Sequence, residues 1–401
     1  MEPQNRVGIA QLTSLALQGV DLHPLRSYLL EKGLDGAERA GALMDLSVID
    51  QLYGDLEQGL AWQAEAIESC PVFRTDRGTR GRKKLLVFAL PTDIGGNTPI
   101  EFLIQSDEFD ILTYYLTPGR QVGDAVPLPR HDVAFCAAPA DAKDAEAFFA
   151  EVRALTKDTG KPALNAFGAP SKLGRVALPQ SLPDVAGLRL ANTVRAGRDA
   201  LIEAVFDGTL DGVFGKQTDF PCVIRPVGSH AGHGLEKVDT ADELGTYLMR
   251  SEAEDFYLAD YIDYRSDDGQ FRKYRIVFID GKAYPCHLAI AGQWDVWYMK
   301  AEMQEDAEKR REEEAFMEAF DSEFGARHKA GFDALIEAVG MEYFGIDCSE
   351  DRDGNLVVFE ADNSFIVHDM ECKTTFPYKT RHMQRLFGAF EDMLTRAALL
   401  E

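Results

Sequence analysis

Three carboxylates lie on two short apolar runs that a tight turn separates. Asp347 ends the run YFGID, and Glu360 and Asp362 close the run NLVVFEAD after the turn at residues 353–354. Side chains two residues apart on a strand share one face, and Asp347 can face them across a hairpin. Oxygen ligands of this kind are typical of Mg²⁺ sites. The alternative is a solvated face on an edge hairpin, which the apolar residues 357–359 make less favourable.

A cation followed by a glycine-rich loop lies earlier in the chain. Arg225 belongs to the strand-like run PCVIRPV, and Gly228, Gly232 and Gly234 follow it. Glycine lets backbone N–H groups approach closely, so such a loop can surround an anion. A strand cation beside this loop suits nucleotide phosphates. A glycine-rich hairpin turn would have a similar sequence, and the segment alone does not separate the two interpretations.

A third segment, RKYRIVFIDG at residues 272–281, brings cations to the start of a strand that ends in an Asp-Gly turn. The planar guanidinium of Arg275 can bind two oxygens of a carboxylate or an acyl-phosphate at once. The alternative is a surface arginine without a ligand. This segment therefore indicates a third part of one anion-binding site.

These segments need elements that position them. Residues 1 to about 80 carry apolar positions at three- and four-residue spacing, which predicts helices. One helix pair resembles a tetratricopeptide unit, but no second copy follows, so a solenoid is not supported. We interpret this region as a helical cap on the rest of the protein, with a partner-docking module as the alternative. Residues 74–84 are basic and lack an apolar period, which indicates a linker.

Residues 85 to about 170 alternate Val-, Ile- and Leu-rich runs with helical patterns, which predicts an α/β unit with a parallel sheet. The loop PTDIGGNTP (residues 91–99) could hold a ligand, although a plain turn explains its Gly-Gly pair better. From about residue 220, paired runs with Asp-Gly turns at 280–281 and 353–354 predict antiparallel hairpins. Exposed, charge-laced helices follow at 303–338, and an amphipathic helix ends the sequence.

Composition narrows the function classes. The 401-residue chain has a formal net charge of −25, which disfavours nucleic acid and anionic membranes as partners. Its six cysteines are scattered without a C-x-x-C pair, so we expect reduced thiols and no cysteine-rich metal site. No apolar run approaches the length of a membrane span, and the N-terminus lacks a signal-peptide pattern. We therefore expect a cytoplasmic protein.

Taken together and in this order, the three segments resemble the ATP-grasp superfamily, in particular the branch with glutathione synthetase and the ribosomal-protein glutamate ligases. The resemblance covers about residues 170–375. It implies a multidomain α/β and α+β protein in which a helical region and a Rossmann-like pre-ATP-grasp domain precede a two-lobed ATP-grasp module. The implied bounds are 1–80 for the helical region, 85–175 for the pre-ATP-grasp domain and 176–401 for the module, with a central lobe at about 195–262 and a C-terminal lobe at about 263–401.

The resemblance implies ATP and Mg²⁺ as cofactors and assigns residues to both. Arg225 takes the position of a phosphate-binding lysine, and Asp362 that of an asparagine beside the magnesium carboxylates Asp347 and Glu360. Arg275 matches the arginine that contacts the acyl-phosphate, so Arg225 and Arg275 are the expected catalytic residues. The other implied ATP ligands are a further cation (Lys172 or Arg175), the mobile loop (Gly228, Ser229, His230, Gly232, Gly234), the adenine-binding hinge (Asp260, Tyr261, Ile262) and the ribose-binding acid Asp263.

The implied reaction joins a carboxylate to an amine through an acyl-phosphate and releases ADP and phosphate. Candidates for the substrate pocket are Arg272, His287, Trp297 and His368, with core positions as the alternative for the histidines and the aromatic side chain. The substrates would be small molecules or peptides, and homo-oligomers are common among such enzymes. Two hypotheses compete: a phosphotransferase on the same fold, and a non-catalytic nucleotide-binding module that docks to a protein partner through the N-terminal helices.

Overall fold

The described part of the chain folds around three β-sheets, each with helices packed on it. The computed structural model describes residues 2–33, 36–78, 81–117, 127–140, 142, 144–168, 170–215, 219–229 and 232–400. The strands are β1 Gln4–Arg6, β2 Val72–Thr75, β3 Lys83–Ala89, β4 Phe109–Tyr115, β5 Val133–Cys136, β6 Ala163–Leu164, β7 Leu188–Leu190, β8 Thr193–Gly197, β9 Cys222–Pro226, β10 Glu236–Val238, β11 Asp255–Asp260, β12 Phe271–Ile279, β13 Lys282–Ala291, β14 Tyr343–Glu350 and β15 Leu356–Asp362.

The helices cover the sheets and connect them. The α-helices are α1 Ile9–Leu17, α2 His23–Tyr28, α3 Arg39–Leu52, α4 Leu56–Ser69, α5 Ile100–Leu103, α6 Ala145–Thr156, α7 Ala177–Ser181, α8 Arg198–Asp207, α9 Asp211–Phe214, α10 Ala241–Arg250, α11 Ala307–Ala319, α12 Phe324–Arg327, α13 Lys329–Val339 and α14 Lys379–Ala398. No helix in these residues has both the length and the apolar character needed to cross a membrane.

The N-terminal sheet (β1–β6) has the strand order β1-β2-β4-β3-β5-β6. Its pairs are parallel except for β2 with β4. Strand β3 is apolar at consecutive positions because both of its faces are buried, one under α6 and the other against α14 and its neighbours. The predicted α/β unit is therefore confirmed, with one antiparallel pair in an otherwise parallel sheet.

The region predicted as helical up to residue 80 also contributes two strands. Strand β1 pairs with β2, and β2 joins the sheet through β4. The prediction of helices alone was wrong here, and so was the linker at 74–84, which overlaps the end of β2 and the start of β3. Strands of three or four residues are too short to show an apolar period against helical neighbours. Helices α3 and α4 pack against each other as the predicted pair.

The middle sheet (β8–β11) is antiparallel, with the order β10-β9-β11-β8. Helices α8 and α10 cover it and enclose a separate apolar core that includes Leu201, Ile224, Leu244 and Phe256. Helix α10 begins after Thr240, whose hydroxyl accepts the backbone N–H of Glu243 as an N-cap. This unit is thus stabilised mainly by its own contacts.

The C-terminal sheet (β7 and β12–β15) has the order β13-β12-β14-β15-β7. Asp280 and Gly281 connect β12 to β13 with φ values of 49° and 73°, the left-handed pair that a two-residue hairpin turn needs. Strands β14 and β15 form the second predicted hairpin, with Gly354 at φ 78°. Both hairpins are confirmed. Strand β7 was not predicted; it adds to β15 as a short parallel edge.

One apolar core joins the C-terminal sheet to the N-terminal sheet. It includes Val87 and Phe135 from the N-terminal sheet, Val277 and Tyr343 from the C-terminal sheet, and Phe390 of α14, which packs on both aromatic rings. All five side chains are almost fully buried. The two sheets therefore behave as one packed body, whereas the middle sheet has a core of its own.

Candidate functional site

Four polar side chains form a row across the C-terminal sheet. His287 on β13 is the cross-strand partner of Arg275 on β12, Arg275 is the partner of Asp347 on β14, and Asp347 is the partner of Glu360 on β15. Directly opposite residues in a sheet project to the same face, so this cross-sheet row presents one line of charge. A β-bulge follows Arg275 and another follows Asp347, and such irregularities re-aim side chains beside functional sites.

Asp347 is the centre of the cross-sheet row. The Arg275 guanidinium donates to both of its oxygens, at 2.8 and 3.0 Å, and the ammonium of Lys273 lies 3.2 Å from Oδ2. Only 8% of the Asp347 side chain is exposed. Burial alone would raise the pKa of this carboxyl, but the charges of Arg275 and Lys273 hold it well below its usual range. Asp347 is therefore ionised throughout the neutral range.

The Arg275 guanidinium has further contacts at the same place. Its Nη1 donates to the carbonyl of Ile366 at 3.3 Å, and its Cζ lies 4.2 Å from the centre of the Phe365 ring. Its pKa is raised: burial acts to lower it, but the charge of Asp347 outweighs that effect. The fork is thus fixed in orientation, as binding of a planar anion requires.

The other two predicted carboxylates lie on β15 beside Asp347. Glu360 accepts from Arg175 at 2.5 Å, and Asp362 accepts from the backbone N–H and the hydroxyl of Ser364 at 2.9 Å. Asp362 is opposite Gly345, so it follows Glu360 on the same face of the hairpin. Among the described residues, no three His, Cys, Asp or Glu side chains are close enough to hold a metal ion. The magnesium assignment therefore stays a prediction.

The sequence left a choice between two cations, and the structure separates their positions. Arg175 pairs with Glu360, a member of the cross-sheet row. Lys172 instead donates to the carbonyl of Ala338, near the C-terminal end of α13, at 3.0 Å. A cation at that end of a helix satisfies an otherwise unpaired carbonyl. Of the two candidate cations Lys172 and Arg175, Arg175 is the one that lies beside the carboxylates.

Arg225 and its loop belong to the middle sheet. Arg225 lies on β9 with 8% of its surface exposed, and its guanidinium donates to the hydroxyl of Ser229 at 3.1 Å and to the carbonyl of the same residue. Gly228, Gly232 and Gly234 have φ values of 80°, 74° and 67°, which other residues adopt at a cost. His230 lies outside the described residues. The strand cation and the glycine-rich loop are therefore in contact.

The predicted hinge begins at Asp260, the last residue of β11, and continues through Tyr261 and Ile262. The Oδ1 atom of Asp260 is buried, and no described group lies within hydrogen-bonding distance of it. Burial raises the pKa of Asp260. Ile262 is 8% exposed, and the Tyr261 ring meets Trp294 edge to face at 6.0 Å with Lys237 over it at 4.7 Å. Asp263 forms an exposed ion pair with Arg265 at 2.6 Å.

The four candidate substrate residues fall in different places. Arg272 alternates with Lys273 and Arg275 along β12, so it points to the opposite face, where Asp268 and Glu312 bind it. His287 packs on the Tyr298 ring at 4.6 Å, and burial together with nearby Arg275 and Lys379 holds its pKa well below its usual range. The remaining positions are Trp297, which is 43% exposed under Lys300, and His368, which lies 3.7 Å from Glu371 and contacts Phe102.

Sequence reasoning missed two groups of charges. Lys273 binds Asp347, and its position two residues before Arg275 on one strand was the available signal. Lys379 is 1% exposed and pairs with Glu371 at 3.0 Å and Glu313 at 3.2 Å beneath Tyr298. Glu313 is distant from Glu371 and Lys379 in the sequence, so no local pattern could reveal the cluster.

The described fold combines one α/β sheet with two largely antiparallel sheets, and solved ATP-grasp structures are similar to it. A RimK domain ATP-grasp protein from Sphaerobacter thermophilus is 16% identical, with 78% of this chain and 99% of that chain covered and a TM-score of 0.45. A D-alanine–D-alanine ligase from Bacillus anthracis, complexed with ATP, is 14% identical over 79% and 97%, with a TM-score of 0.44. The ATP-grasp ligase PsnB, complexed with precursor peptide PsnA2 and AMPPNP, is 15% identical over 79% and 99%, with a TM-score of 0.41.

These are proteins of the superfamily that the three sequence segments resemble. The likeness concerns the fold, and at this level it carries no substrate or mechanism with it. No known family model matches the chain, and no curated protein matches its sequence. Function must therefore be inferred from the side chains themselves.

Proposed function

We propose that this protein is an ATP-dependent, ADP-forming ligase that joins a carboxylate to an amine. The observation that supports this most directly is the cross-sheet row, in which the neighbouring carboxylates Asp347 and Glu360 are each paired with an arginine, Asp347 with Arg275 and Glu360 with Arg175. Three cations, Lys273, Arg275 and Arg175, are paired with these carboxylates, and a polyphosphate ligand requires cations of this kind. When ATP and a metal ion bind, these ion pairs can be replaced: the phosphates can pair with the cations, and the metal ion can bind the carboxylates.

The oxygen donors of these carboxylates are of the kind that a hard divalent cation binds. Asp347, Glu360 and Asp362 offer only oxygen donors from two adjacent strands, and Mg²⁺ takes one or two carboxylates while it retains waters and phosphate oxygens. Mg²⁺ bound there would neutralise charge on the nucleotide phosphates. The chain's contribution is to keep Asp347 ionised and in place, which Lys273 and Arg275 do.

The proposed reaction has two steps. A substrate carboxylate oxygen bonds to the γ-phosphorus of ATP, and the bond to ADP breaks with its electron pair on ADP. The amine nitrogen then attacks the acyl carbon, phosphate leaves, and the nitrogen loses its proton. Arg275 can neutralise the acyl-phosphate oxygens with its fixed fork, and Arg225 can do the same from the middle sheet. In this proposal His287, the cross-strand partner of Arg275, is the candidate imidazole for contact with the amine.

The first test is the thermal stability of the protein with Mg-ATP. A ligand at about 100 times its Kd raises the free energy of unfolding by about 2.7 kcal/mol. We expect a magnesium-dependent shift in the wild type that Glu360→Ala loses. Glu337→Ala is the matched control, because Glu337 is exposed on α13 away from the cross-sheet row. If Glu360→Ala showed the same shift as the wild type, Glu360 would not belong to the Mg-ATP site.

The second test follows ADP release in the presence of pools of carboxylates and amines. The proposal expects ADP only when both substrates are present, together with a new amide. ADP with a stable phosphorylated product would favour a phosphotransferase. Nucleotide binding without turnover in any pool would favour the non-catalytic module.

A further inference from the structure

A cavity lies between the N-terminal helices and the N-terminal sheet. It encloses about 70 Å³, space for several water-sized groups. Helices α3 and α4 and strand β1 form one wall, and the carboxyl ends of β3, β4 and β5 form the other. Strand β3 has β4 on one side and β5 on the other, so the strand order reverses here. Open α/β sheets bind ligands beyond the carboxyl ends of their strands at such a reversal.

Arg6 carries an unused donor at this cavity. Its side chain is 6% exposed, and its guanidinium donates to Glu101 at 2.8 Å, Thr113 at 3.1 Å and the Tyr115 hydroxyl at 3.2 Å. Its Nε is buried, and no described atom accepts from it. A buried donor without an acceptor costs free energy, so this N–H group is suited to an oxygen of a ligand.

The charges on the cavity wall do not favour an anion. Glu101 balances Arg6, and both of its oxygens are used: Oε1 also accepts from Thr75, and Oε2 accepts from the backbone of Ala10. The remaining charged wall residue is Asp93, whose side chain is exposed at the mouth. A ligand would therefore meet a carboxylate at the mouth and an N–H donor inside.

The loop at the mouth is held in place before any ligand arrives. Gln63 of α4 donates to the carbonyl of Thr92 at 2.8 Å, and the backbone of Ile94 donates to Gln51 of α3 at 2.9 Å. Asn97 closes the loop through two hydrogen bonds to the backbone of Leu90, each 2.9 Å. The loop 91–99 is thus fixed to the helices, and binding would not have to order it.

We infer that this cavity binds a small molecule that carries an ammonium group and an oxygen acceptor. The oxygen accepts from Arg6 inside, and the ammonium group pairs with Asp93 at the mouth. The N-terminal helices then serve as the wall of a ligand site and not as a docking surface for another protein. This inference does not depend on the proposed ligase activity.

The test is binding of ethanolamine to the full-length protein without nucleotide, measured by saturation-transfer NMR and titration. Ethanolamine has both groups, ethylene glycol lacks the ammonium group, and acetate carries the opposite charge. We expect ethanolamine to bind at least tenfold more tightly than either comparator. No binding of ethanolamine to the wild type, or equal binding of acetate, would overturn the inference and leave the ligase proposal untouched.

Two pairs of variants locate the binding. Asp93→Asn should weaken ethanolamine at least tenfold, whereas Asp107→Asn, on an exposed loop of the same sheet, should not. Ser47→Leu fills the cavity from α3 and should abolish binding, whereas Ser47→Ala leaves the space open and should retain it. Circular dichroism verifies that each variant is folded. If Ser47→Leu fails to fold, the test depends on Asp93→Asn, which changes an exposed side chain. Unchanged affinity in Asp93→Asn would place ethanolamine elsewhere and refute the inference.

Discussion

The two sheets that carry the candidate site are attached to the molecule in different ways. The C-terminal sheet shares its core with the N-terminal sheet, and its cross-sheet row is locked by buried ion pairs. The middle sheet has its own core, and its glycine-rich loop is held to β9 mainly through Arg225 and Ser229. From this comparison we expect the N-terminal and C-terminal sheets to form a rigid base and the middle sheet to move as a separate unit.

A single asparagine strengthens the rigid side of this comparison. Asn363 follows β15 and is fully buried. Its side chain donates to the carbonyl of Ala138 at 2.8 Å and accepts from the backbone of Ala140 at 2.9 Å, and its carbonyl accepts from Thr98 at 2.6 Å. The strand that carries Glu360 and Asp362 is thereby tied to two loops of the N-terminal sheet.

The largest effect is expected from Asp347→Ala. It leaves Arg275 and Lys273 without their shared partner, and the loss of one partner from a buried pair costs about 3–5 kcal/mol. Chemical denaturation measures this change. The control is Asp333→Ala, which breaks an exposed pair with Lys329 and should cost under about 1 kcal/mol. Equal costs for the two variants would mean that the cross-sheet row is not locked.

Asn363→Ala should have the next largest effect. It strips partners from two buried backbone groups, at about 1–3 kcal/mol for each group left unsatisfied. Hydrogen exchange should speed up at Ala140 and along β15 and remain unchanged in the middle sheet. Faster exchange in β9 instead would contradict the division into a rigid base and a separate unit.

Ser229→Ala tests the mobile side and should cost less. It removes the hydroxyl that accepts from Arg225 and donates to Pro226, worth about 1 kcal/mol. Hydrogen exchange should rise in β9 and β10 alone, and the apparent Kd for Mg-ATP should increase severalfold. No change in either quantity would show that the Ser229 hydroxyl does not hold the loop.

The smallest effect concerns pH. The folded pKa of Asp347 is lowered, so its contribution is complete above its unfolded pKa of about 4 and is lost as the pH falls below that value. The stability difference between wild type and Asp347→Asn should therefore stay constant from pH 7 to 5 and shrink in acid. Urea denaturation at each pH measures it, and a difference that grows in acid would reverse the assigned sign.

The two-residue repeat of side chains along a strand and the Asp-Gly turns were enough to predict the hairpins and the shared face of Asp347, Glu360 and Asp362. They could not show that Arg275 is opposite Asp347, because this register depends on pairing between β12 and β14, which are separated in the sequence by β13 and by helices α11 to α13. Lys172 and Arg175 were equivalent in the sequence, and only tertiary contacts distinguish them. Strands β1 and β2 were missed because they are only three and four residues long and adjoin the helical segment, β1 before α1 and β2 after α4.

The contact between Tyr261 and Trp294 gives this protein a built-in optical reporter. The chain has three tryptophans, and Trp294 is the one whose ring meets the segment that follows β11 of the middle sheet. Rotation of the middle sheet against the C-terminal sheet would change the surroundings of that indole. Its emission can therefore follow opening and closing in solution without an attached dye, and Tyr261→Leu would identify which part of the signal comes from this contact.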